Sequence, residues 1–300
     1  MSGVITTGNH PKALWPGMHA FFGATYKEHP EEFREIFDIE KSSKNYEEDT
    51  KLTGFGMAPV KAEGSAVSYD SESQGYTKRY RHVAYALGYV VTQEELDDNM
   101  YEQVSRRRIK RLAFSMRQTK ETVAANVLNR ATTSGYTGGD GKVLLATDHT
   151  SLNGSFSNKL STAADFSEAS LEDLLIQISN ATNERGHKIA LRAKKIIYPT
   201  ALQFEVSRVL KSEYRPGSAD NDINAVKMVG LTPVMNHYLT DTDAWFVKTD
   251  CPNGLTMFER KPLEFTTDSD FDTDNAKAKA YMRFSLGWTD PLSIFGSEGA

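Results

Sequence analysis

Cysteine is almost absent from this sequence, because the 300-residue chain contains only Cys251. An intramolecular disulfide is therefore impossible, and a zinc site of the cysteine-rich kind is excluded. The chain also lacks an apolar run of about eighteen residues, so no membrane-spanning helix is predicted. Residues 1–30 have neither the basic start nor the apolar core of a signal peptide. A chain of this length can bury a substantial core, so packing or assembly is expected to supply its stability.

Motifs that mark common catalytic sites are absent as well. We find no phosphate-binding glycine loop, no dinucleotide fingerprint, no HExxH helix and no nucleophile elbow. The best candidate for a catalytic residue is His149 in the segment TDHTS. Neighbours in one loop cannot supply a nucleophile, a base and its orienting group without a residue from elsewhere. A turn whose side chains bond to backbone groups is therefore favoured over a soluble monomeric hydrolase that uses His149.

Four aspartates alternate along the sequence from Asp268 to Asp274, as in a calcium loop. The spacing does not fit, because Thr273 stands where the sharp turn requires glycine and Lys279 where a bidentate glutamate is needed. A solvated acidic loop before a strand is favoured over a cation site. The sequence therefore predicts no enzyme, no metal site and no cofactor.

Charge is unevenly distributed along a chain whose formal net charge is -5. Nine acidic residues lie between Glu28 and Asp49, whereas seven lysines and arginines lie between Ser105 and Lys120. On a helical wheel of about 100° per residue, four of the basic side chains form one stripe: Arg106, Lys110, Arg117 and Lys120. Salt bridges within or between subunits, a solvated face and a phosphate-binding surface all remain open for this basic stripe. Aromatic residues that would stack on nucleic-acid bases are not interleaved with it.

The first half of the chain is predicted to be an arm, a loop, a strand and a long helix. Residues 1–50 have aromatic side chains that need a partner surface, and residues 51–75 are too rich in glycine to pack a core. A long strand follows and extends to residue 91. The capping box Thr92–Glu95 then opens a helix that extends to about Ala131 and changes its packing partner near Ser105.

The second half is predicted to be a mixed α/β block followed by strands, so the chain as a whole is α+β. Apolar residues at helical spacing mark helices around Leu171–Ile178 and from Pro199 to Leu210, with the strand KIIYP between them. Further strands are predicted around Val226–Val229, Val234–Leu239 and Ala244–Lys248, and over Ala276–Trp288.

Six segments in this order resemble the major capsid proteins of tailed bacteriophages, most closely the Mu-like major head subunits. They are ALWPGMHAFFGATYKEHPEEFREIFD, GFGMAPVKAEGSAVSYD, ALGYVVTQEELDDNMY, TKETVAANVLNRA, GKVLLATDHTSLNGSFSN and YMRFSLGWTDPLSIFGS. The resemblance covers essentially the whole chain. It implies the Hong Kong 97-type fold, with an N-terminal arm at 1–50 and an E-loop at 51–91. A peripheral P-domain with a long spine helix would take 92–159, an axial A-domain 160–255, and strands that return to the P-domain 256–300.

The resemblance also implies a function without catalysis. Such subunits form hexamers and pentamers that close an icosahedral shell around packaged double-stranded DNA, with a portal and sometimes scaffolding or decoration proteins as partners. The expected location is the virion, after assembly in the cytoplasm of the bacterial host, without a membrane partner. Because Met1 leads directly into the arm, no cleaved scaffolding extension is expected. A nanocompartment shell of the same fold that stores a cargo enzyme is the alternative.

Contacts between subunits are expected to hold such a shell closed, because burial of apolar area outweighs any single bond. The residues predicted to supply this burial are Trp15, Phe21 and Phe22 on the arm and Val83, Tyr85 and Leu87 on the E-loop. The resemblance places the spine helix towards the inner surface, where the basic stripe meets either DNA or an acidic arm from a neighbouring subunit. Pairing with the arm is our hypothesis, because a shell that grips DNA would hinder packaging and ejection.

Overall fold

A computed structural model describes residues 22–28, 30–92, 94, 101–215, 222–269 and 275–300, with side chains described in these ranges except at 101–106 and 269. Residues 22–27 are helical, and the helices with defined bounds are Phe33–Ile36 (α1), Tyr101–Asn129 (α2), Glu168–Ser179 (α3) and Gln203–Lys211 (α4). The first strands are Asp38–Lys41 (β1), Tyr46–Leu52 (β2), Gln74–Arg81 (β3), Val83–Val91 (β4), His149–Ser151 (β5) and Gly154–Phe156 (β6). The later strands are Ala193–Pro199 (β7), Thr232–Asn236 (β8), Trp245–Thr249 (β9), Leu255–Ser269 (β10), Ala276–Trp288 (β11) and Ile294–Ser297 (β12).

The first sheet has the strand order β1-β10-β11-β4 and is covered by α2. Strand β1 is parallel to β10, and the other neighbours are antiparallel. Alternate residues of β11, such as Ala280, Met282 and Phe284, are buried because successive side chains on a strand point to opposite faces. They share one core with Ile109 and Met116 of α2. Each large apolar side chain that is fully buried in this way stabilises the fold by about 1.5–3 kcal/mol.

The second sheet has the order β12-β9-β7-β8, and one side of it packs with α3 and α4 around a second core. Its residues Ile197, Val234 and Phe246 belong to the first core. Ser167 caps α3, because its hydroxyl accepts the N–H of Ser170 while the Ser170 hydroxyl accepts the N–H of Ser167. The core side of α3 then buries Leu171, Leu174 and Ile178, as the helical spacing predicts.

The predicted long strand before residue 91 is two strands that belong to different sheets. Strand β3 pairs with β2 in a separate antiparallel hairpin, whereas β4 pairs with β11. The break lies at His82, which is buried between two hydroxyl groups from other parts of the chain. Apolar alternation runs through both strands, so the sequence pattern alone does not mark the break.

Two further segments differ from the prediction. Residues Val226–Val229 form a 3-10 turn instead of a strand, because the Asn224 side-chain oxygen accepts the N–H groups of Val226 and Lys227 and closes the turn. The last strand, β12, pairs with β9 of the second sheet instead of returning to the first. It follows the 3-10 turn Pro291–Ser293, which ends the ladder of β11 and redirects the chain.

The remaining predicted elements are present. Helix α2 ends at Asn129, two residues before the predicted end. Of its predicted first turn, the structure describes Thr92, which is not helical, and Glu94, which is helical. Strands β7, β8, β9 and β11 and helices α3 and α4 lie where the pattern placed them. No helix in the described part of the chain is long and apolar enough to cross a membrane.

Candidate assembly surfaces

The interior of the molecule contains an acidic residue of α2, Glu121. Its two carboxylate oxygens accept the backbone N–H groups of Glu32 and Phe33, each at 3.0 Å. These N–H groups lie at the start of α1, where a helix leaves its donors without partners, so Glu121 caps α1 from another helix. Burial raises the pKa of Glu121, although the Phe33 N–H and the charge of Arg117 oppose this effect.

Arg117 lies one turn before Glu121 and is only 4% exposed. Its Nη1 donates to the carbonyl oxygen of Tyr26 at 2.9 Å and lies 3.9 Å from Oε1 of Glu31. Its Nη2 lies 3.7 Å from Oε1 of Glu121, and the guanidinium covers the ring of Tyr26 at 5.3 Å. Arg117 therefore binds the end of the N-terminal segment to α2 through both charge and a backbone carbonyl.

Lys120 completes this set from the same face of α2. Its Nζ lies 3.0 Å from Oε1 of Glu259 in β10 and 4.7 Å from the centroid of the Phe33 ring. Burial lowers the pKa of Lys120, whereas Glu259 acts in the opposite direction. We use the term arm latch for Arg117, Lys120 and Glu121 together with their partners Tyr26, Glu31, Glu32, Phe33 and Glu259.

The basic stripe predicted from the helical wheel is therefore not one solvent-facing surface. Arg117 and Lys120 are 4% and 6% exposed, whereas Lys110 is exposed, and the side chain of Arg106 lies outside the described residues. The wheel places these residues on one side of the helix, but the N-terminal segment and β10 cover only its later turns. The acidic partners of Arg117, Glu31 and Glu121, both belong to the same chain.

Of the three arm aromatics predicted to contact a neighbouring subunit, the structure describes only Phe22. Phe22 is 4% exposed and stacks on Phe265 of β10 with the ring centroids 4.8 Å apart. The ring of Phe22 is therefore packed inside its own chain, and its predicted contact with a neighbouring subunit stays a prediction. Trp15 and Phe21 lie outside the described residues.

The hairpin β2–β3 carries a long loop at residues 53–73, whose two ends are joined. The N–H of Thr53 donates to the carbonyl of Ser73 at 3.1 Å, and their hydroxyl oxygens lie 3.1 Å apart. Within the loop, five large apolar side chains are exposed: Phe55, Met57, Val60, Val67 and Tyr69. Exposed apolar side chains clustered in one segment are typical of an interaction surface.

Strand β4 presents two of its three predicted contact residues to solvent. Val83 is 50% and Leu87 is 47% exposed, so both are accessible to another molecule. Tyr85 instead packs inside its own chain, where it stacks on Phe284 with the ring centroids 5.0 Å apart. Val83 and Leu87 remain predicted contacts between subunits. The ring of Tyr85 packs mainly against the first sheet of its own chain.

His82 lies at the junction between the hairpin and the first sheet. Its Nε2 is 3.0 Å from the hydroxyl oxygen of Ser42, and its Nδ1 is 3.0 Å from that of Ser285. Burial lowers the pKa of His82, and the charges of Arg283 and Arg260 lower it further, with Glu47 opposing. The neutral imidazole therefore holds the junction together.

Acidification is expected to weaken this junction. In the unfolded chain the histidine has its ordinary pKa of about 6.5, whereas in the folded chain His82 is protonated only at lower pH. The unfolded state thus gains protons first, so the free energy of unfolding should fall as pH decreases through that range. The decrease should be small beside the loss expected from breaking the arm latch.

Urea unfolding at several pH values would measure the loss. A His82→Gln variant should lose this part of the pH dependence, whereas His187→Gln, in a turn of the second half, should retain it. Equal pH dependence in the wild type and His82→Gln would contradict the role of His82.

A second buried histidine, His149, was the candidate catalytic residue. It is fully buried, with Nδ1 2.6 Å from Oδ2 of Asp140 and Nε2 3.1 Å from Oδ1 of Asn158. The Asn158 side-chain amide donates to the carbonyl oxygens of Leu144, Pro291 and Ile294. No substrate can reach this imidazole, and the set joins the loop after α2 to the C-terminal segment. Asp140 and Asn158 could not be identified as its partners from the sequence, because each lies nine residues from the histidine.

The calcium-like acidic run falls mostly outside the described residues. Of its four aspartates only Asp268 is described, at the end of β10. Within the described ranges, no group of three or more histidine, cysteine, aspartate or glutamate residues could hold a metal ion.

Comparison with known proteins assigns the chain to a family. A model of the family described as phage capsid protein matches residues 75–296, about three-quarters of the sequence and nearly all of both sheets. The chain belongs to this phage capsid protein family. The predicted function, a major capsid protein that forms an icosahedral shell, is confirmed by this match. No curated protein matches the capsid protein in sequence.

Solved structures similar to this capsid protein share its fold at low sequence identity. A virus-like particle from Pyrococcus furiosus is 11% identical, with 94% of this chain and 98% of that chain covered and a TM-score of 0.53. The capsid of a native GTA particle is 15% identical, with 90% of each chain covered and a TM-score of 0.55. A structure of Microbacterium phage Oxtober96 is 8% identical, with 89% and 90% covered and a TM-score of 0.54. The predicted Hong Kong 97-type fold is thereby confirmed, whereas the narrower Mu-like assignment stays a prediction.

Family membership gives the capsid protein a structural role in the virion. A cargo nanocompartment is not favoured by the family match. The surfaces described above are therefore best considered as parts of a subunit that must contact its copies.

Proposed function

We propose that this capsid protein forms hexamers and pentamers that close its shell around double-stranded phage DNA. The match to the phage capsid protein family across both sheets carries this proposal. The exposed apolar loop supports it, because a subunit with five large apolar side chains on one loop has surface to bury against a copy of itself. Portal, scaffolding and decoration proteins are proposed as further partners, with assembly in the host cytoplasm.

The parts of the subunit are proposed to follow the expected boundaries. The first sheet and α2 would form the P-domain, and the second sheet with α3 and α4 the A-domain. The second core, which contains α3 and α4, supports this division, whereas Ile197, Val234 and Phe246 of the second sheet belong to the first core and join the two parts. The hairpin β2–β3 would be the E-loop, which on this basis starts at Tyr46 within the segment 1–50. Strand β12 would belong to the A-domain sheet although it lies within 256–300.

The contacts between subunits are proposed to involve the E-loop and the arm. Val83 and Leu87 are exposed in line with such a role, and the loop at 53–73 adds a larger apolar surface. Trp15 and Phe21 remain proposed contacts of the arm.

For the basic helix, we propose that pairing with acidic residues outweighs binding to DNA. The geometry of Arg117 supports this, because Glu31 and Glu121 share its guanidinium and little of it is open to solvent. Lys110 is exposed and remains a candidate for contact with a neighbouring arm or with DNA.

Electron microscopy of the expressed full-length protein tests the proposal. We expect closed particles with sixfold and fivefold capsomers, and a sizing column should show particles or capsomers instead of a 33.4 kDa species. A stable monomer under all assembly conditions would contradict shell formation. Particles isolated from infected cells should contain DNA, and a packaged enzyme in its place would favour the nanocompartment.

A further inference from the structure

A groove lies where the hairpin β2–β3 meets the first sheet and the end of α2. Its volume is about 400 Å³, within the range of about 300–1,000 Å³ that is typical of ligand sites. Part of its lining is apolar and is supplied by Val83 and Tyr85 of β4, Val123 and Val127 of α2, and Phe284 of β11. The groove can therefore bury a large apolar side chain from another molecule.

The same groove carries positive charge. Lys78, Arg79 and Arg81 of β3 and Arg130, just after α2, all line it. Arg79 pairs with Glu48 across the hairpin. Within the ranges that the structure describes, no carboxylate forms an ion pair with Lys78, Arg81 or Arg130. We use the term cationic groove for this site with its three unpaired cations.

Neutral groups hold two of these cations in place. The Nζ of Lys78 donates to the carbonyl oxygen of Thr137 at 2.6 Å, and the guanidinium of Arg130 lies 4.4 Å from the centroid of the Tyr136 ring. Burial lowers the pKa of Lys78, with the charge of Asp140 opposing this effect. A carboxylate that enters the cationic groove would therefore stabilise the Lys78 ammonium and meet two exposed arginines.

One segment of the sequence matches the cationic groove in its chemistry. Residues 270–274 join β10 to β11 and read Asp-Phe-Asp-Thr-Asp, so an aromatic side chain stands between carboxylates. The segment lies outside the described residues, whereas the strands that it joins are paired as far as Ser269 and Ala276. Carboxylates on either side of Phe271 suit an apolar groove that carries cations, because complementary charge favours the right partner over others.

The acidic segment cannot reach the groove of its own chain. Strand β11 extends from Ala276, beside the acidic segment, to the groove, where Phe284 pairs with Val83 of β4. At about 3.4 Å for each residue, Ala276 and Phe284 lie about 27 Å apart along the strand. Residues 270–275 leave from and return to the far end, so they extend by about 10 Å at most. The segment can therefore fill only the groove of a second copy.

We propose that residues 270–274 of one copy insert into the cationic groove of a second copy. Phe271 packs against the apolar lining, and the neighbouring aspartates pair with Arg81 and Arg130. The groove and the segment are different surfaces, so the contact is head-to-tail, and such contacts form rings when the rotation closes. The place of this contact in a shell rests on the proposed function, whereas its formation can be tested on unassembled subunits.

Binding of a synthetic peptide tests the cationic groove directly. A dye-labelled peptide of residues 267–277 should bind unassembled full-length subunits, with the fluorescence anisotropy of the dye as the measure. Affinity should fall about tenfold or more for the groove variant Arg81→Glu with Arg130→Glu, because two attractions become repulsions. A peptide with asparagine at positions 270, 272 and 274 should bind the wild type more weakly to a similar degree.

A control variant separates the groove from net charge. Arg107→Glu with Arg111→Glu makes the same change of charge at exposed positions of α2 outside the groove, and it should bind the peptide as the wild type does. Arg81 and Arg130 are exposed too, so the circular dichroism of the groove variant should be that of the wild type. Absence of binding to the wild type would overturn the proposal, as would equal binding by the wild type and the groove variant.

Exchange of charge within one chain tests the contact in assembly. Asp270→Lys with Asp272→Lys reverses the charge of the segment, and this variant and the groove variant should each form few or no shells. A chain with all four substitutions should regain shells, because its segment and groove again have opposite charge. Normal shells from either double variant would overturn the contact, as would a folded four-fold variant that forms none. Wild-type subunits that bind the peptide but form no shells would contradict the proposed shell and leave the groove in place.

Discussion

Replacing Glu121 with glutamine is expected to lower the free energy of unfolding of the subunit by about 3 kcal/mol. Glutamine keeps the size of the side chain but removes the charge that faces Arg117, whose side chain is 5% exposed. An uncompensated buried guanidinium is costly, because the protein interior cannot replace its hydration. The amide also supplies only one oxygen for the two N–H groups of Glu32 and Phe33, so one donor at the start of α1 loses its partner.

Urea unfolding of purified subunits would measure this loss. Arg111→Gln is the control, because Arg111 is exposed on the same helix and its replacement should change the free energy of unfolding by less than about 0.5 kcal/mol. A loss below about 1 kcal/mol in Glu121→Gln would show that the arm latch contributes little.

A double-mutant cycle identifies the partner of Glu121. Arg117→Met removes the cation and its bond to the Tyr26 carbonyl. If the two charges stabilise each other, the double variant Arg117→Met with Glu121→Gln should lose less stability than the two single variants together. Additive losses would assign the effect of Glu121 to the cap of α1 alone.

The arm latch also illustrates what periodicity can and cannot predict. The 3.6-residue pattern located α2. Its residues Ile109, Leu112 and Met116 are buried, because apolar residues on one face have only the core to pack against. The same pattern placed Arg117 and Lys120 on a basic stripe. A helical wheel shows in which direction each side chain points, but it does not show which other segments cover a given turn. The coverage comes from residues 22–37 and β10, which are distant in sequence.

Other contacts of these surfaces could not be predicted from the sequence for similar reasons. Phe21 and Phe22 are neighbours with the same chemistry, and only the tertiary position of Phe265 decides that Phe22 is interior. The alternation through β3 and β4 continues across His82, so the change of sheet at that residue has no local signal. The contact of Lys51 with Glu184 and Asp290 likewise depends on three segments that only the complete fold brings together.

Excision of residues 54–72 from the hairpin loop should leave a folded subunit that does not form shells. The ends of the loop are already joined through Thr53 and Ser73, so a short glycine-containing turn can replace it without moving β2 or β3. The loop contributes none of the buried residues of the two cores, so stability should change by less than about 1 kcal/mol. Assembly should fail because five exposed apolar side chains are lost from each subunit. At about 2 kcal/mol for each side chain fully buried, they would supply up to about 10 kcal/mol.

Two variants of unchanged loop length separate burial from chain length. Serine at Phe55, Met57, Val60, Val67 and Tyr69 should abolish particles in electron micrographs as the excision does. Glutamine at the exposed loop acids Glu63 and Glu72 should leave assembly intact. Normal shells from the serine variant would show that the loop acts as a spacer, whereas normal shells from the excised chain would remove the loop from assembly altogether. Every subunit of a closed particle loses the same buried apolar area, so the losses add up over the whole shell. Even a partial loss of burial at this loop should therefore give open or missing shells instead of slightly weakened ones.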